Sequence, residues 1–209
     1  MFRDRLDAGK ALAAPLEKYA GEDVIVLGIP RGGVPIGYPI AKALDAPLDV
    51  IIPRKLPIPW SPEVGFGAVT SAGDVILNPD IAGGIRLSDE EIKEIADDVY
   101  REIRRRMKVY RGSKPVPSLR QKTVIITDDG LATGFTMIAA VESVRKQGPK
   151  KVVCAVPVSP KDAAEKVRRY ADEVVTLWEK PAASFAVASF YEDFHDMRDE
   201  EVTGLLREF

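Results

Sequence analysis

Among 209 residues there is one cysteine and one histidine. A lone Cys154 excludes an intramolecular disulfide and a multi-cysteine metal site. It lies in the strand-like run Val152–Val156, which reads as a buried, inert thiol. His195 has no catalytic partner nearby in the sequence, so it reads as a surface or packing residue rather than a general base. No apolar run approaches the ~20 residues that span a bilayer. No secretory apolar segment opens the chain, and the expectation is a cytoplasmic protein with no membrane partner. The net charge of -2 supplies no global field for nucleic acid. There is no internal repeat and no low-complexity tract. With 45% hydrophobic and 30% charged residues, the chain has an ordinary globular composition, and its length suits one large domain, or a domain with a small appendage, with a sizeable core.

What is present centres on residues 124–141. Val124-Ile125-Ile126-Thr127 is a buried β-branched strand. Asp128 and Asp129 follow where it should end. Gly130-Leu131-Ala132-Thr133-Gly134-Phe135-Thr136 forms a short turn, and Met137–Val141 opens a helix. Backbone N–H groups at such a turn lie at the positive end of the helix dipole and suit an anion. The Thr133 and Thr136 hydroxyls can add hydrogen bonds. The two carboxylates suit sugar hydroxyls or a divalent cation beside that anion.

A second unit of the same kind lies upstream. Val24–Leu27 reads as a strand, Gly28-Ile29-Pro30-Arg31-Gly32-Gly33 as a turn, and 34–44 as a helix with Pro35 in its first turn. Gly32 and Gly33 permit close backbone approach to a ligand, with Arg31 adding charge. Leu48–Ile52 is the next strand. It leads to Arg54 and Lys55, placed by this reading at the same sheet edge and suited to an anionic leaving group.

Residues 4–20 read as a helix kinked at Pro15, with Leu6, Leu12, Leu16 and Tyr19 inward. Three prolines at 57, 59 and 62 exclude helix and central strand, so 57–63 is expected to be an exposed semi-rigid loop. Phe66–Thr70 and Val75–Leu77 suggest two strands around the turn Ser71–Asp74. Ser88 and Glu91 form a capping box for a helix reaching about Tyr110. Ile92, Ile95, Val99, Ile103 and Met107 make its apolar stripe. Its arginine-rich end reads as a solvated face rather than a nucleic-acid surface. Beyond the central motif come a helix to about Gln147, a strand at 151–156, a helix capped by Ser159 with Pro160 at its first position, and a strand at 173–177. The alternation predicts an α/β fold: a parallel sheet with helices on both faces. The tail, 181–196, is aromatic and aperiodic.

The 124–137 string resembles the phosphoribosyl-pyrophosphate (PRPP) signature of type I phosphoribosyltransferases. The tail, with Ala186-Val187 and Tyr191 with Phe194, is similar to a stand-alone subgroup whose acceptor is uncharacterised. The resemblance implies a core over 1–178 and a C-terminal hood over 179–209. It implies that a mobile loop and hairpin, about 57–78, close over the reaction. Asp128 and Asp129 would hold the ribose hydroxyls and assist Mg²⁺. Leu131 to Thr136 would wrap the 5′-phosphate, and the Arg31 loop with Lys55 and Arg54 would take the pyrophosphate. Phe185, Phe190, Tyr191 and Phe194 would be candidates to stack on a base acceptor. Ala132 replaces the Asp usual in enzymes acting on 6-oxopurines, which lowers those acceptors. The implied activity is transfer of phosphoribose to a nitrogenous base or other amine, by a homodimer. The alternatives are a silent PRPP- or nucleotide-binding regulator and a nucleotide hydrolase.

Overall fold

The computed structural model describes residues 1–70, 73–181 and 185–209, the side chains of 62–64, 79 and 80 excepted. Five strands form one parallel sheet: β1 (Val24–Gly28), β2 (Leu48–Val50), β6 (Thr123–Thr127), β7 (Lys151–Pro160) and β8 (Glu173–Lys180). Their order is β2-β1-β6-β7-β8. β1 and β6 are neighbours, with Leu27 opposite Ile126 and Gly28 opposite Thr127. From β1 the chain crosses through α2 (Gly33–Leu44) to β2 on one side; from β6 it crosses through α5 (Phe135–Arg145) to β7 on the other. The crossovers leave in opposite directions, which opens a crevice beyond the carboxyl ends of these two strands.

The central strands β1, β6 and β7 bury both faces, as their near-continuous apolar runs require. Val24, Val26, Ile125 and Val153 face one hydrophobic cluster with residues of α1 (Arg5–Ala13), α2, α4 (Asp89–Arg111) and α7 (Asp199–Leu206). Ile25, Val124, Ile126, Val152 and Cys154 face the other, with residues of α5 and α6 (Lys161–Val167). The period of two along each strand divides the side chains between these layers.

A second sheet is antiparallel, ordered β3-β4-β5, from β3 (Arg54–Ile58), β4 (Ser61–Val69) and β5 (Val75–Leu77). The single turn α3 (Pro79–Ala82) follows it. The expected loop at 57–63 is therefore two strand ends around Pro59 and Trp60. Pro57 is tolerated because β3 is an edge strand, and the pairing register shifts on both sides of it. Ser71 and Ala72 of the predicted turn lie outside the described residues, as do Ala182, Ala183 and Ser184 of the tail.

Other differences have local causes. α1 stops at Ala13 and a 3-10 turn, Ala14–Tyr19, follows with Pro15 in its first positions. Leu6 is exposed, whereas Leu12, Leu16 and Tyr19 are buried. β7 extends to Pro160, so Pro160 rather than Ser159 precedes α6, and the buried Ser159 hydroxyl donates to the Pro160 carbonyl. The capping box at Ser88 and Glu91 forms with both of its hydrogen bonds.

α4 keeps most of its arginines on its own acids: Arg101 on Asp98, and Arg105 and Arg106 on Glu102. Arg111 instead turns inward to Asp49 of β2, at 2.9 Å.

Candidate functional site

Both loops flanking the crevice end in helices that lack a side-chain cap. α2 begins after Gly32, and α5 after Gly134, which takes φ +85. By contrast, α1 is capped by Asp4 and α4 by Ser88. Uncapped N-termini leave backbone donors for a ligand. Leu131 is buried and its N–H donates to the Val158 carbonyl, which pins the start of the turn. Ala132, Thr133, Phe135 and Thr136 are exposed beyond it.

The acids sit at the C-terminal end of β6, against the other loop. Gly32 touches Asp129: a Cβ on Gly32 would lie 2.0 Å from Asp129 Oδ2 and 2.5 Å from its Cγ. A Cβ on Gly33 would lie 2.2 Å from the Thr127 carbonyl oxygen. Thr127 Oγ1 donates to the Gly33 carbonyl at 2.8 Å, and Ile29 N–H donates to the Thr127 carbonyl at 2.9 Å. The adjacent glycines therefore let the two loops interlock, an interpretation more definite than a tight turn.

Arg31 reaches Asp199 at the start of α7, Nη1 to Oδ1 at 3.8 Å. Tyr110 of α4 donates to the same Asp199 oxygen at 2.6 Å. Burial, followed by this bond, pushes the Tyr110 hydroxyl up to about 12.

Two residues that sequence reasoning did not place here support Asp129. Arg5 Nε donates to Asp129 Oδ2 at 2.8 Å, with the Arg5 side chain 11% exposed. The Tyr191 hydroxyl donates to the Asp129 carbonyl at 2.6 Å. Asp128 Oδ1 accepts from the Asp129 N–H at 2.9 Å. Burial, reinforced by the charge of Asp129, pushes the Asp128 carboxyl well above the usual range. Burial also raises Asp129, against the opposing pull of Arg5. Paired carboxylates with raised pKa values in a crevice are candidates for a functional site.

The other predicted residues divide. Arg54 and Lys55 do not extend β2 along the parallel sheet's edge. β2 ends at Val50, and both basic residues open β3, opposite Val69 and Ala68. Tyr191 is buried, its ring 5.6 Å from Phe2 and 5.0 Å from Phe194, so it supports the acid loop instead of offering a face to an acceptor. Phe185 and Phe190 are partly buried and pack on each other at 5.2 Å, with Phe190 also against Trp178. Phe194 carries the Arg5 guanidinium, 3.9 Å above its ring. His195 is exposed between Asp193 and Glu201.

Among the described residues no group of three or more His, Cys, Asp or Glu side chains could hold a metal. Two carboxylates, one tied to arginine, make no closed cage. They fit magnesium, which takes one or two carboxylates and completes its shell with water and substrate oxygens. No helix among the described residues is long and apolar enough to cross a membrane.

Residues 4–192 match the phosphoribosyl transferase domain. A Mycobacterium tuberculosis H37Rv protein provisionally named a phosphoribosyl transferase is 42% identical over 206 residues, and a protein of strain CDC 1551 with the same provisional name matches equally. That alignment covers 99% of this chain and 46% of theirs, so the chain spans about half the length of these curated relatives. The crystal structure of TT1426 from Thermus thermophilus is 38% identical, with a TM-score of 0.87, covering 100% of this chain and 98% of that one. The chain belongs to the phosphoribosyl transferase family.

Proposed function

We propose that the protein transfers 5-phosphoribose from PRPP to a nitrogenous base or other amine and releases pyrophosphate. One observation carries the reading. Two largely enclosed acids end β6 at the strand-order switch, interlocked with a glycine loop and followed by an uncapped helix start. That arrangement supplies hydroxyl acceptors between two anion-binding loops.

Phosphoribosyl transfer develops positive charge on the sugar ring while a polyanion leaves. The chain's task is to hold both ends, orient the ribose and keep water out. The backbone N–H groups at 132–136, with the Thr133 and Thr136 hydroxyls, bind the 5′-phosphate. Asp128 and Asp129 accept hydrogen bonds from the ribose hydroxyls, and their negative charge favours the developing cation. The Arg31–Gly33 loop binds the pyrophosphate. Arg54 and Lys55, on the hairpin sheet, add cationic charge to the leaving group when that sheet closes. Magnesium, held by the two acids and substrate oxygens, would neutralise further charge on the pyrophosphate. Phe185 and Phe190 border the acceptor position. Ala132 offers no carboxylate to a base nitrogen, so 6-oxopurines are disfavoured acceptors.

Pyrophosphate release, assayed with PRPP, Mg²⁺ and a panel of bases and amines, tests this. Release with one acceptor supports transfer and names the acceptor. PRPP binding without release across the panel contradicts transfer to those acceptors and favours a binding protein.

A further inference from the structure

Arg5 holds a constrained guanidinium near the crevice that phosphoribosyl chemistry does not call for. It lies 124 positions before Asp129 in sequence, in the first turn of α1, whose start is fixed by the Asp4 carboxylate accepting from the Asp7 N–H at 2.7 Å. Three contacts hold it. Nε donates to Asp129 Oδ2 at 2.8 Å, Nη1 donates to the His195 carbonyl at 3.0 Å, and Cζ stacks 3.9 Å over the Phe194 ring. It also borders the other loop, since a Cβ on Gly32 would lie 3.2 Å from Arg5 Nε. One side chain thus joins the N-terminal helix, the glycine loop, one of the paired acids and the C-terminal tail.

The two acids are consequently not equivalent. Asp129 has one oxygen committed to a guanidinium and its carbonyl committed to Tyr191. Asp128 accepts only from the neighbouring backbone N–H among the described contacts. A charge-assisted bond from a planar donor fixes a carboxylate's rotation more firmly than solvent does. The stack on Phe194 and the bond to His195 fix the guanidinium in turn.

We propose that Arg5 is a positioning residue that holds Asp129 oriented for the ribose 2-hydroxyl, and that the tail segment Phe194–His195 holds Arg5. This rests on the phosphoribosyl reading above and deepens it: the tail acts on sugar recognition, not only on the acceptor. The tail is tied to the chain's start by further bonds, Glu192 N–H to the Phe2 carbonyl and Asp193 N–H to the Arg3 carbonyl. Docking of the tail and orientation of the ribose acid are therefore coupled through Arg5.

Calorimetric titration of the full chain with ribose 5-phosphate and with 2-deoxyribose 5-phosphate tests it. The two ligands share the phosphate and differ by one hydroxyl. The wild type should prefer ribose 5-phosphate by about tenfold, the worth of one hydrogen bond to a charged group. Arg5→Gln should abolish that preference and leave the affinity for 2-deoxyribose 5-phosphate unchanged. Phe194→Leu should reduce the preference and add nothing to Arg5→Gln in the double variant. A parallel fall in both affinities would assign Arg5 a purely structural role and overturn the proposal. So would an unchanged preference in Arg5→Gln or, should that variant not fold, in Phe194→Leu. Equal wild-type affinity for the two sugars overturns the proposal but spares the phosphoribosyl reading. Wild-type binding of neither sugar phosphate overturns the proposal, and failure to bind PRPP as well overturns the phosphoribosyl reading.

Discussion

Replacing Gly32 by alanine separates two physical accounts by sign. Gly32 has φ -63 and ψ -30, a helical conformation any residue adopts. Considered as backbone alone, Gly32→Ala should stabilise the protein by about 0.4–1 kcal/mol, because alanine narrows the unfolded ensemble. The site dictates the opposite. The new methyl would sit 2.0 Å from Asp129 Oδ2 and 2.5 Å from Cγ, inside any permitted contact. The carboxylate is the part able to yield, and swinging it away breaks its 2.8 Å bond to Arg5. Both side chains are less than one-fifth exposed, so water replaces that bond poorly, and its loss costs about 1.5–3 kcal/mol. The net expectation is a destabilisation of about 1–2 kcal/mol. For a domain of this size that is a fall in Tm of roughly 3–6 °C. Urea denaturation monitored by circular dichroism measures the first quantity and a thermal melt the second. PRPP binding should be lost in the same variant. A Gly32→Ala protein as stable as the wild type, with unchanged PRPP binding, would refute the placement of Asp129 against the glycine loop.

His195 is the sole histidine, so its Hε1 proton gives one unambiguous resonance in a titration. Asp193, then Glu201, raise its pKa above 6.5, and the resonance should titrate with a midpoint above that value. Its stabilising contribution is present below 6.5 and is lost as pH rises through the raised pKa. Glu201, lowered to about 2 by the Arg198 backbone N–H and then by His195, contributes above 4.5 and loses that contribution as pH falls toward 2. A His195 midpoint at or below 6.5 contradicts this contact. Arg111→Ala should cost about 3 kcal/mol in urea denaturation, since it leaves Asp49 largely buried without its partner; a loss below ~0.5 kcal/mol would class the pair with exposed ones. Cys154 is buried and its thiol is pushed up by desolvation. It should resist iodoacetamide in the folded protein and react on denaturation; rapid labelling of the native state would contradict its burial.

The parallel sheet was legible because β1, β6 and β7 are β-branched runs buried on both faces, each followed by a helical pattern. Residues 124–141 showed strand, acids, turn and helix in one stretch, since the residue types that form each element are adjacent in sequence. What failed was non-local. Arg54 and Lys55 read as the end of β2, but β2 stops at Val50 and the pair joins a separate sheet. Pro57 disguised an edge strand as a loop. Leu6 fitted a helical stripe, yet the face of α1 turned to α2 leaves it exposed. Arg5 carried no local signal at all: an arginine in the first turn of a helix looks solvated until the fold brings Asp129, Phe194 and His195 to it. Tyr191 read as an aromatic platform because sequence shows a ring and not the partner of its hydroxyl, which is the Asp129 carbonyl. The strand–turn–helix units pick out the candidate ligand loops; the tail and N-terminal contacts to the acids emerge only in three dimensions.

The central claim is that Asp128 and Asp129, between the two interlocked loops, form a PRPP site. Calorimetric titration of PRPP with Mg²⁺ into the wild type and into Asp128→Asn/Asp129→Asn tests it most directly. The account predicts micromolar binding by the wild type, lost in a variant that still melts cooperatively. Absence of binding by the wild type, or equal binding by the variant, would contradict it.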